Sequence, residues 1–203
     1  VESGTSFMRH KLSHAPRTVA PMVAISKSRL LAFRQCPKRL WLEVHHPEVS
    51  VFSGATKAAF ETGHRVGAVA RRLYDPAGVG TVLEYEKLGV DGMLSATQDL
   101  LAARKPIFEA GFQAGRGLSA VRSLADALLP TKRGWRMVEV KSSTSIKDYH
   151  LDDIAIQYHV ATSAGLKLSA VHLACVNSQW TYPGGDDYGG LLGEEEMTRH
   201  CKQ

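Results

Sequence analysis

Five side chains could do chemistry together: His64 in "ETGHRVG", Asp126 in "SLADALLP", Glu139 and Lys141 in "WRMVEVKSSTS", and Gln157 in "IAIQYHV". Each is a polar residue in an otherwise apolar stretch. Strand side chains alternate faces, so Glu139 and Lys141 point one way and Val138 and Val140 the other. Facing positions on adjacent strands lie about 5 Å apart, so Asp126 and Glu139 can meet across a hairpin. Paired carboxylates suit a hard divalent cation, Mg²⁺ or Mn²⁺, better than zinc. A lysine beside the ion can position or deprotonate a water, or neutralise charge building on a phosphate. The competing account of Glu139 and Lys141 is a solvated strand face, its same-face ion pair contributing about 0.2–1 kcal/mol. His64 can be an ordinary surface histidine, and Gln157 can bond a loop carbonyl. Asp126 is harder to explain that way, because an unpaired carboxylate in a Leu/Ala strand costs several kcal/mol.

The elements that must position these residues are legible in outline. "ISKSRLLAFRQCPKRLWLEVHHPE" reads as a helix capped by Ser26 or Ser28 and kinked or ended at Pro37. A second helix follows from Ser53 or Thr56 to the Asp75-Pro76 stop, with Arg71 and Arg72 in its last turn. "GVGTVLEY" is a short strand or turn, and "MLSATQDLLAAR" a helix capped by Ser95. Three strands are expected in "KPIFEAGFQAG", "LSAVRSLADALLP" and "WRMVEVKSS". A helix capped by Asp152 and Asp153 and closed by Gly165 comes next, then a strand in "KLSAVHLACVNSQW" and a glycine-rich loop before an acidic, helical tail. The fold class expected is α/β, a mixed central sheet of about four to five strands flanked by helices.

The organisation expected is a poorly ordered leader over 1–24, a single domain over 25–192 and a tail over 193–203. The 203 residues are 44% hydrophobic and 22% charged, enough to bury a core. The excess of 25 Lys+Arg over 20 Asp+Glu gives +5, compatible with a polyanionic partner. No apolar run approaches the ~18 residues of a membrane span. Three widely spaced cysteines, Cys36, Cys175 and Cys201, make no disulfide framework, so a reducing cytoplasm is expected. Arg29, Arg34, Lys38 and Arg39 form either a DNA-backbone patch or a solvated helix face.

The ordered series "GHRVG", "AD", "EVK", "IAIQ", preceded by "SKSRLLAFRQCPKRLWLE", resembles the RecB-like branch of the PD-(D/E)XK nuclease superfamily over about residues 26–190. It is similar to CRISPR-associated adaptation nucleases and to an uncharacterised bacterial group in which "PIFEAGF" and "EVKSSTS" recur. The resemblance implies a restriction-endonuclease-like core and metal-dependent cleavage of DNA, exonuclease-like or directed at single strands. It implies His64, Asp126, Glu139 and the Val140 carbonyl as metal ligands, Lys141 as the catalytic lysine and Gln157 as an orienting residue. Glu109 and Tyr158 are second-tier candidates. Related enzymes place Tyr four residues after the Gln, where this chain has Ala161. Many relatives also hold a four-cysteine iron–sulfur cluster. Cys36 and Cys201 match parts of that pattern, but three thiols cannot supply four thiolates, so the cluster is expected only in a longer form. Cys36 reads equally as a small buried hydrophobe. A protein partner in a DNA-processing or defence complex is also implied. The alternative function is a catalytically inactive nucleic-acid-binding or partner-docking module on the same fold.

Overall fold

A computed structural model describes residues 24–51 and 53–203; all of the expected leader but its last residue lies outside them. The chain opens with β1 (Ile25–Ser26), α1 (Lys27–Gln35) and α2 (Pro37–His45), the break at Cys36 falling where Pro37 cannot continue a helix. Then come α3 (Gly54–Tyr74), β2 (Thr81–Val82) and α4 (Tyr85–Leu101). The hairpin strands β3 (Ile107–Ala114), β4 (Val121–Thr131) and β5 (Gly134–Lys141) follow, then α5 (Asp148–Ser163), β6 (Leu168–Val176), β7 (Leu192–Glu196) and α6 (Thr198–Cys201). The sheet is seven-stranded, β2-β3-β4-β5-β6-β7, with β1 paired to β4 off that path. β3–β4, β4–β5 and β6–β7 are antiparallel, and β5–β6, β2–β3 and β1–β4 are parallel. The architecture is α/β with a mixed sheet flanked by helices. Among the described residues no helix is long and apolar enough to cross a membrane.

One face of the sheet carries α4 and α5 over the main core, in which Met93, Phe112, Leu128, Met137, Ile154 and Leu173 are fully buried. Gly111 lets α4 sit close: a Cβ there would lie 3.2 Å from the Met93 backbone, and Thr97 Oγ1 accepts the Gly111 N–H at 2.8 Å. The other face holds a smaller cluster of Phe108, Ala127, Leu129, Val138 and Ala174, joined by Tyr74 of α3.

Four expectations are corrected. The sheet has more strands than expected, because β1 and β2 are two-residue strands that only pairing defines. The helix expected to be capped by Ser95 starts at Tyr85 and carries Ser95 in its interior; Gly89, at φ 61°, breaks it and disguises the first turn as a loop. The acidic part of the tail is strand β7, since "LGEEE" completes a ladder on the β6 edge, and only the residues after it are helical, in α6. Asp152 and Asp153 do not cap α5, whose N-cap is Lys147, with the Lys147 N–H donating to His150 Nδ1.

Candidate active site

The site forms where β5 parts from β4. The β4–β5 ladder ends at Ala127↔Val138, whereas β5 stays paired with β6 as far as Lys141↔Cys175. On the freed edge of β4, β1 pairs with Val121 and Arg122 instead. That placement delivers Lys27, the first residue of α1, into the gap. Ser26 caps α1 by accepting the Arg29 N–H and so holds the helix start there.

The alternation of β5 settles the direction of its charges. Met137 belongs to the core under α5 and Val138 to the opposite cluster, so Glu139 and Lys141 continue on the α5 face. There they meet two α5 residues one turn apart, Asp153 and Gln157. Lys141 Nζ donates to Glu139 Oε1 at 2.6 Å and to Asp153 Oδ2 at 2.5 Å. Lys27 Nζ lies 2.7 Å from Asp153 Oδ1 and 3.2 Å from Glu139 Oε1. Gln157 Nε2 donates to Glu139 Oε2 at 2.5 Å. Glu139, Asp153 and Gln157 are only 3%, 5% and 1% exposed, so this is a desolvated network of two carboxylates and two ammoniums. Burial alone would raise Asp153, but Lys27 and Lys141 outweigh it and hold its carboxyl well below the usual range. Burial alone would lower Lys141 and Lys27; Glu139 and Asp153 outweigh it and leave both above their ordinary values.

On the other side of the sheet a cleft of about 370 Å³ is lined by His64, Arg71 and Tyr74 of α3 together with Glu109, Asp126, Glu139 and Val140. Asp126 Oδ2 accepts the Val140 N–H at 2.7 Å, which ties the two strands where their ladder has stopped. Burial, with Glu139 next, raises its carboxyl well above the ordinary range. Glu109 is raised too, by burial, with Arg71 Nη1 at 3.8 Å opposing.

Glu109 shows how the cleft acquires its acids. It has φ 60° in mid-strand, a left-handed conformation uncommon for a non-glycine residue. Ile107 and Ala110, three apart, share the main core, while Phe108 and Glu109 both line the cleft. Likewise Ala125 and Leu128 share the main core while Asp126 and Ala127 line the cleft. The irregularity sits between the pairs Phe108↔Ala127 and Ala110↔Ala125, so one local strain turns both Glu109 and Asp126 into the cleft. Glu109→Gly relieves that strain: thermal or denaturant unfolding is expected to show a gain of about 1 kcal/mol, with loss of whatever the carboxylate contributes to activity.

Of the residues expected in the site, the structure gathers His64, Glu109, Asp126, Glu139, Val140, Lys141 and Gln157 around the end of β5. Tyr158 is not brought in; it packs against the main core beside the buried Ala161. The basic patch divides. Arg34 pairs with Asp152 at 2.9 Å and Arg39 with Glu43 at 2.7 Å, Lys38 is exposed, and only Arg29 faces a cavity adjoining the site. Cys36 is exposed rather than buried, and Cys201 packs against the main core, where burial pushes its thiol up to about 11. Sequence reasoning missed Lys27, Arg71 and Tyr74 as site residues and misassigned Asp153. The Asp153/Gln157 spacing of four on one helix face was the available signal for Asp153.

No family model matches the chain, and no curated protein matches it. A solved structure, the crystal structure of SSO0001, is similar at 14% identity over 83% of this chain and 75% of its own, with a TM-score of 0.30. That likeness carries no functional argument, so the α/β class and the site stand on this chain's own topology and side chains.

Proposed function

We propose that the chain is a metal-dependent nuclease that hydrolyses DNA phosphodiester bonds. The supporting observation is the convergence of His64, Glu109, Asp126, Glu139 and Val140, drawn from four elements, on one cleft, with Lys141 bonded to Glu139. Carboxylate oxygens, a carbonyl and an imidazole are a donor set suited to Mg²⁺ or Mn²⁺. The raised Asp126 carboxyl, pressed by its own burial and by Glu139, is one that a divalent cation would relieve. Asp126, Glu139, His64 and the Val140 carbonyl would hold the ion, which when bound would lower the pKa of a water and offset charge on the phosphate. Among the described residues no three such side chains stand close enough to share an ion as placed, and Glu139 Oε1 accepts from Lys27 and Lys141. Lys141, held on Glu139 and Asp153, is placed to orient a water or to steady the developing oxyanion. Gln157, with Nε2 on both Glu139 and Asp153, fixes the Glu139 rotamer.

The test is hydrolysis of single-stranded and duplex oligonucleotides with Mn²⁺, compared with Asp126→Asn. Activity is expected to fall by at least about 100-fold. The metal-free variant should melt no lower than the parent. A carboxyl raised on folding contributes most below its unfolded value, near 3.9, and destabilises once ionised, so a neutral isostere removes a penalty at pH 7. Unchanged activity would end the proposal.

A second reading, a non-catalytic nucleic-acid-binding module, is favoured by the way Lys27 and Lys141 together neutralise Glu139 and Asp153. In that case calorimetry should show no heat of Mn²⁺ binding.

A further inference from the structure

A second cavity, of about 580 Å³, lies against Asp126 from the α1 side. It is lined by Lys27 and Arg29 of α1, Arg122 and Leu124 of β4, and Tyr85 and Val90 of α4. The two cavities share Asp126 and have opposite charge. The cleft sets Glu109, Asp126 and Glu139 against Arg71, whereas the second cavity sets three cations against Asp126 alone.

These cations are not equally committed. Lys27 is bonded to Glu139 and Asp153, and Arg122 is held by Asp91 at 2.9 Å and by Gln113 at 2.6 Å. Arg29 is exposed and its guanidinium has no ion pair among the described residues. The same cavity is lined by the half-exposed ring of Tyr85, with Leu124 and Val90, which gives it an aromatic and apolar surface. A planar fork able to grip a phosphate and a ring able to stack, lining one cavity, are the chemistry that recognises a nucleotide. The volume lies within the usual range for small-molecule pockets.

We propose that this cavity binds the nucleotide flanking the scissile phosphate, with its phosphate on Arg29 and its base against Tyr85. Asp126 is then the wall between a cation side and a nucleotide side. The position of the cut relative to the cavity rests on the nuclease reading; nucleotide binding itself does not. When the flanking nucleotide is terminal, the cavity holds the nucleoside monophosphate that hydrolysis releases.

Calorimetric titration of the full chain in EDTA with dTMP, thymidine and inorganic phosphate tests this without metal. dTMP is expected to bind more tightly than phosphate, and thymidine more weakly than dTMP. Arg29→Glu should weaken dTMP about tenfold or more, and Tyr85→Ala by about 5–100-fold. Both side chains are exposed, so melting temperatures should be unchanged. Equal affinity for dTMP and phosphate, or dTMP binding insensitive to both substitutions, overturns the proposal. If dTMP binds as described but no oligonucleotide is cut, the cavity stands and the nuclease reading falls. If Mn²⁺-dependent cutting persists while dTMP fails to bind, the reverse holds.

Discussion

Lys141→Met is expected to lower Mn²⁺-dependent hydrolysis by about 10²–10³-fold, the range for loss of one donor that stabilises developing charge. Two roles are combined in that residue, and a second substitution separates them. Nζ bonds both Glu139 and Asp153, so its removal leaves the two buried carboxylates sharing Lys27 alone. Breaking a buried charge pair from one side costs about 3–5 kcal/mol, measurable by denaturant unfolding. Lys141→Arg keeps the positive charge and should recover much of that stability. Its planar fork cannot place a single proton where the ammonium does, so the rate should stay low. Full activity in the Arg variant would reduce Lys141 to a structural counter-ion.

Asp153→Asn should damage the fold as heavily. The carboxylate accepts from Lys27 and from Lys141, and an amide answers neither charge. Two half-buried ammoniums would then face Glu139 alone, and a loss of up to about 3–5 kcal/mol is expected. The pH dependence carries a further signature. The Asp153 carboxyl is held below its unfolded value, near 3.9, so its contribution is complete above about pH 4 and is lost as pH falls through the lower folded value. Lys27 and Lys141 lie above their unfolded value, near 10.4; their contributions are complete below it and vanish as pH rises through the folded values. The parent should therefore lose stability at both extremes. In Asp153→Asn the acid limb should flatten while the protein becomes weaker throughout the neutral range. Equal acid limbs in parent and variant would remove Asp153 from the network.

Much of this was legible in the chain. The alternation from Trp135 to Lys141 predicts a strand with Glu139 and Lys141 on one face, and they lie on one face. The Pro37 break, the Ser26 and Ser53 caps and the helix carrying Gln157 are local chemistry, decided within a few residues. Residues such as Asp126, polar among leucines and alanines, announce themselves because an unpaired charge there is too costly to be incidental.

Tertiary structure alone decided the rest. Lys27 reaches Glu139 across 112 positions only because β1, two residues long, pairs with the β4 edge that β5 abandons. The left-handed backbone at Glu109 leaves no mark in "PIFEAGF", yet it turns two acids out of the alternation and into the cleft. β7 is a strand because an edge of β6 awaits it, although "LGEEE" has little strand propensity of its own. Most elements, and the kinds of side chain they carry, could be read from the chain because periodicity and capping act locally. Which cation meets which carboxylate, and which acids share a cavity, followed from pairings distant in the chain, whose free energy is realised only once the sheet has closed.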